Sequence, residues 1–153
     1  MKKQIQLFRH RPEEGMIGDC HRTAIAMLLD MNAKDVPNFS AVGFSLDNPN
    51  GNHKEFSEAV EKWLNENGYT QFSVAFSEKL EVVFTYMKAI NPGVYYMLGG
   101  QSGNGVNHTV VCLDDEIVAD PSIDESGIVG PCEPDGLYWI TVLMPINQKV
   151  KHG

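Results

Sequence analysis

An α+β fold, with helices in the N-terminal half packed on a C-terminal antiparallel sheet, follows from three patterns in the sequence. Residues 24–29 are all Ala, Ile, Met or Leu, so the helix opened by Cys20 is apolar on nearly every side and buried. Residues 52–68 place Phe56, Val60, Trp63 and Leu64 at i, i+4, i+7 and i+8, one face of an amphipathic helix. From Gly93 onward the helical period gives way to short strand-like runs set off by Gly, Pro and Asp. The 153 residues fit one domain, 1–153, with a sizeable core.

Taken in order, residues 4–8 (Gln-Ile-Gln-Leu-Phe) alternate as a short strand, and Arg9–Gly18 is a loop holding Pro12, Gly15 and Gly18. Asp19 is expected to cap the Cys20 helix through its carboxylate, and that helix ends near Met31. Residues 35–39 read as a loop and 40–51 as irregular. Asn52 with Glu55 resembles a capping box for the second helix, which Gly68 stops. Phe72, Val74 and Phe76 mark a strand. Ser77 then caps a helix with Leu80, Val83, Phe84 and Met87 on its apolar stripe, stopped by Asn91-Pro92-Gly93. Strands follow at 94–98, 108–113, 116–120 and 137–144, with the glycine-rich 99–105 read as a mobile flap. Tyr95, Tyr96, Tyr138 and Trp139 are assigned to the sheet core.

Composition narrows the function classes. A formal charge of −8 argues against nucleic acid and anionic membranes as partners, because both demand a basic face. No apolar run reaches the length of a membrane span, and the N-terminus lacks the apolar core of a signal peptide. Three widely spaced cysteines, with no C-x-x-C pair, exclude a disulfide framework and a thiolate metal site, so no metal or other cofactor is expected. A reducing cytoplasm suits them.

Chemistry concentrates at Cys20. At a helix N-terminus the dipole favours thiolate over thiol, the form a cysteine nucleophile needs. Such a nucleophile also needs a base and a group to orient it, and His108 and Asp120 can supply both. They stand at the open ends of two strands joined by the Asp114-Asp115 turn. A strict two-residue loop would put Asp120 on the face opposite His108, whereas a longer loop or a bulge would restore a shared face. Each residue alone has an ordinary reading: a small buried thiol, a half-buried strand histidine, a turn aspartate. Together they form a nucleophile, base and orienter. Cys112, mid-strand, and Cys132, beside Pro131, read as structural.

The stretches Gly18-Asp19-Cys20 with its apolar helix, Asn107-His108-Thr109-Val110-Val111, and Val118-Ala119-Asp120-Pro121-Ser122 resemble the papain-like thiol hydrolases, closest in layout to small bacterial C39-like peptidases. The resemblance implies a papain-like fold and a Cys20–His108–Asp120 triad acting through a thioester on a peptide, protein or small amide or thioester substrate. It also implies a Gln about six residues ahead of the Cys, completing the oxyanion hole. Glu14 stands there instead, and a carboxylate repels an oxyanion. Gln4, Gln6 and Gln101 are the substitutes, with Asp19 beside them at the cleft. The Glu14 departure also favours an alternative: a catalytically weak or inactive scaffold serving as a protein- or ligand-binding module.

Overall fold

A computed structural model of the protein describes residues 1–11, 14, 18–43 and 52–146. The elements in order are α1 (Cys20–Leu28), a 3-10 turn (Ala33–Asp35), α2 (Ser40–Gly43), α3 (His53–Glu66), β1 (Tyr69–Phe76), α4 (Leu80–Ile90), β2 (Tyr96–Gln101), β3 (Asn107–Leu113), β4 (Glu116–Ala119) and β5 (Tyr138–Pro145). The strands form an antiparallel sheet in the order β1-β5-β2-β3-β4. The α+β class holds, with helices on both faces of the sheet rather than on one. Of the run 40–51 expected to be irregular, Ser40–Gly43 is instead the short helix α2, while 44–51, like Pro12 and Gly15 of the early loop, lies outside the described residues.

Alternation along the strands divides the core in two. Met97 and Val111 face α1 and α3, packing with Ile25, Met27, Val60 and Leu64. Their neighbours Tyr96, Leu98, Val110 and Cys112 face the other way and pack with Val83 and Met87 of α4. Ala24, Ile25 and Ala26 are fully buried, as an apolar helix requires. The apolar run continues to Met31, but α1 stops at Leu28 because Asp30 turns into the left-handed region, where the N–H groups of Asp30 and Met31 close back on Met27 and Ala26. In α3 the Asn52 side chain accepts from the Glu55 N–H at 3.2 Å, and Gly68, at φ +84°, ends the helix. The third long helix starts later than its expected cap: α4 begins after Lys79, which makes no side-chain cap bond, so Ser77 lies outside it.

Residues 4–8 form no strand. They run extended without joining the sheet, because side chains take up the bonds a ladder would supply. The Gln4 amide bridges Met31 O and Ala33 N, the Gln6 N–H donates to Pro121 O, and the Leu7 and Phe8 N–H groups donate to the Asp19 carboxylate. The glycine run is likewise not a flap at its start. Gly99 and Gly100 belong to β2, and a Cβ on Gly100 would come within 2.6 Å of Ile128 and 2.7 Å of Gly130 O, so only glycine admits that strand. Of the four aromatics assigned to the core, Tyr96 and Tyr138 are buried, while Tyr95 and Trp139 are about two-fifths exposed.

His21, in the first turn of α1, sits edge-on to Phe39 and Phe56 with its Nδ1 buried and unpartnered. Burial pulls its pKa down to about 4. The unfolded chain, titrating near 6.5, then binds the proton better, so stability falls as pH drops from 6.5 towards 4, by up to about 3 kcal/mol. Thermal unfolding across that range should show the loss in the wild type and a clearly smaller one in His21→Leu.

Candidate active site

Cys20 is the first residue of α1 and lines a cleft of about 1010 Å³, together with Gln6, Arg9, His108 and Ser122. His108 lies one residue into β3 and is 7% exposed. Its Nε2–H donates to Asp120 Oδ1 across 2.6 Å. This pairing follows from a register shift in the hairpin. The Asp114-Asp115 turn is a two-residue loop, with Leu113 opposite Glu116 and Cys112 opposite Ile117, but Val111 faces Ala119. Val118 is the extra residue. Val118 and Ala119 both pack toward α1, and the face of Asp120 is thereby reversed to that of His108. Of the two geometries open from the sequence, the bulge is the one present.

Asp120 is held by more than the ring. The Ser122 N–H donates to its Oδ1 and the Gly127 N–H to its Oδ2, both at 2.8 Å, while the Ser126 N–H donates to Ser122 Oγ. Sequence reasoning missed this cradle. The Asp120-Pro121-Ser122 run, an aspartate bonding the backbone two residues on, carried the signal for its first bond.

With Nε2 engaged, Nδ1 is the ring nitrogen left for Cys20. Burial alone would lower the His108 pKa, but the Asp120 hydrogen bond, the Cys20 hydrogen bond and the charges of both outweigh it and raise it to about 10. Burial also works to raise the Asp120 pKa. The His108 bond and the two backbone N–H groups overcome it and hold the carboxyl well below its usual range. At neutral pH the pair is therefore imidazolium and carboxylate. Cys112 and Cys132 differ: burial pushes their thiols up to about 12 and about 11, Cys132 with help from the charge of Asp135.

The oxyanion candidates separate clearly. Glu14 is exposed, pairs with Arg11 at 3.5 Å and is not itself among the residues that line the cleft. Gln101 reaches toward Gly105 O and Gln4 is spent on Met31 and Ala33. Gln6 lines the cleft, 9% exposed, but its Nε2 donates to Phe8 O at 2.6 Å. Asp19 does not cap α1. Fully buried, it accepts from Leu7 N, Phe8 N and Arg22 Nε instead, which leaves the first-turn N–H groups of α1 without a side-chain cap. Among the described residues no group of three or more His, Cys, Asp or Glu could hold a metal, and no helix is long and apolar enough to cross a membrane.

If Asp120 holds the imidazolium, its removal must lower the His108 pKa. Side-chain NMR titration should place the wild-type ring far above 6.5, and Asp120→Ala should bring it down by roughly 1–3 units. An unmoved titration would mean that the bond contributes nothing to the ring's charge. No protein-family model matches the chain, and no curated protein or solved structure matches it.

Proposed function

We propose that the protein is a papain-like cysteine hydrolase, with Cys20 as nucleophile, His108 as proton carrier and Asp120 as orienting group. One observation carries the reading: the buried His108 ring, bonded to Asp120, lines the same cleft as Cys20 at the start of α1. The Cys20 sulfur attacks a carbonyl carbon as thiolate, forming the C–S bond. His108, as imidazolium, gives its Nδ1 proton to the departing amine, alcohol or thiol as the old bond breaks. Water then attacks the thioester and yields a proton to His108, and the acid leaves with the thiolate restored. The intermediate's oxyanion is met by the Cys20 N–H at the positive end of α1, a helix start with no side-chain cap bond. Peptides, side-chain amides and thioesters suit this set, and so does transfer to an acceptor other than water. The feature that favoured a non-catalytic binding module, Glu14 at the oxyanion position, weighs less because Glu14 pairs with Arg11 and is not among the cleft-lining residues. Three free thiols fit a reducing compartment such as the cytoplasm.

At mildly acidic pH, iodoacetamide should modify Cys20 about tenfold or more faster than Cys112 and Cys132, whose thiols resist ionisation. Single-turnover acylation by p-nitrophenyl acetate should fall about 10²–10⁴-fold in His108→Ala. Asp120→Asn should keep more activity than Asp120→Ala, because the amide oxygen still accepts the ring N–H. Equal labelling of the three cysteines, or acylation that survives His108→Ala, would overturn the assignment.

A further inference from the structure

The N-terminal segment brings an unusual concentration of arginine to this cleft. The chain has three arginines, Arg9, Arg11 and Arg22. Arg22 is committed, its Nε to Asp19 at 3.0 Å and its Nη1 to Val36 O at 3.2 Å. Arg9 and Arg11 both line the cleft beside Cys20. Among the described residues each is held by one long contact, Arg9 Nη1 to Asp124 at 3.6 Å and Arg11 Nη1 to Glu14 at 3.5 Å, with the side chains 42% and 47% exposed. Those distances exceed a charge-assisted hydrogen bond, and such exposed pairs exchange readily.

Their present partners can release them. Asp124 receives Asn104 Nδ2 on both oxygens, at 3.3 and 3.1 Å, and keeps these contacts when Arg9 turns away. Glu14 is more than half exposed and stays hydrated. The backbone just ahead of Arg9 is anchored, with Gln6 N on Pro121 O at 2.7 Å and Phe8 N on Asp19 at 2.8 Å, so Arg9 starts from a fixed point. The other lining carboxylate among the described residues, Glu133, belongs to the segment bonded to the Asn107 side chain. A chain of net charge −8 repels an anionic ligand over most of its surface and retains one only where cations are local.

We propose that the cleft selects an acyl group bearing a carboxylate, which Arg9 and Arg11 bind through their guanidinium forks. This rests on Cys20 being the nucleophile of the proposed hydrolase. A carboxylate offers two oxygens to a planar fork at shorter range than either present contact, so the substrate replaces the resident acids. The ligand carboxylate is either an acidic side chain or a chain terminus.

Iodoacetate and iodoacetamide alkylate the same thiolate and differ by one carboxylate, so the ratio of their rate constants at Cys20 is independent of how much thiolate is present. In Arg9→Gln/Arg11→Gln this ratio should fall about fivefold or more below wild type. Lys62→Gln/Lys88→Gln, which removes two cations on α3 and α4, should leave the ratio in place. An unchanged ratio in the arginine variant, with Cys20 still labelled ahead of Cys132, overturns this proposal and leaves the hydrolase standing. An equal fall in both variants also overturns it, since the effect then belongs to the overall field. Iodoacetamide labelling that does not distinguish Cys20 from Cys132 removes the hydrolase itself. Protection of Cys20 from iodoacetamide by N-acetylglutamate α-amide assigns the carboxylate to a side chain, and protection by N-acetylglycine assigns it to a chain terminus. Equal protection by N-acetylglutamine α-amide would show that charge is not what is read.

Discussion

The His108–Asp120 bond exists because β4 carries one residue more than a regular ladder would hold. Through Cys112 and Ile117 the hairpin is in register, and at Val118 it shifts. Were Val118 held in the regular ladder with no shift, Asp120 would oppose Thr109 and point to the other face of the sheet, because strand side chains alternate with a period of two. The shift also frees the segment after Pro121 from the ladder, so that Ser122 and Gly127 can turn their N–H groups back onto the carboxylate. One local irregularity thus fixes both the orientation of the acid and its depressed pKa.

A second constraint runs through Asp19. Its position invites helix capping, yet the carboxylate serves two N–H groups of the N-terminal segment and the Arg22 guanidinium. A buried carboxylate needs charge-assisted partners, and losing one from such a pair costs about 3–5 kcal/mol. Capping would have satisfied N–H groups that solvent or a ligand can reach. Clamping ties the N-terminal segment to α1 and pairs the largely buried Arg22 guanidinium. The result at the cleft is twofold: Gln6 and Arg9 are held beside Cys20, and the start of α1 is left open.

What the sequence made legible is what depends on short-range pattern. The period of Phe56, Val60, Trp63 and Leu64, the Asn52 cap, the Gly68 stop and the β3–β4 hairpin are all local, and they appear where the pattern put them. The same locality placed His108 and Asp120 at the open end of one hairpin. Misreadings arose where a distant partner decided. Residues 4–8 alternate like a strand but meet Asp19, Met31 and Pro121 rather than a strand edge. Asp19 looked like a cap because its competing donors lie 11 and 12 residues away. Glu14 matched an oxyanion position by count, but count does not put a side chain in the cleft lining, from which Glu14 is absent although its partner Arg11 belongs to it. Gly100 read as flexible, when its missing side chain in fact accommodates Ile128.

The charges of the site and the stability of the fold meet in one pH range. His108 has a raised folded pKa, so the stabilisation from its pairing is complete below its unfolded value of 6.5 and is lost as pH climbs through about 10. Asp120 has a depressed one, so its contribution is present above 3.8 and lost as pH falls below it. His21, neutral within α1, withdraws stability as pH drops from 6.5 towards 4. These three signs bracket a maximum near neutrality, the same range in which imidazolium and carboxylate coexist beside Cys20. An environment that makes a buried ion pair costly elsewhere keeps this one intact, because each charge, with the hydrogen bond between them, favours the charged form of the other.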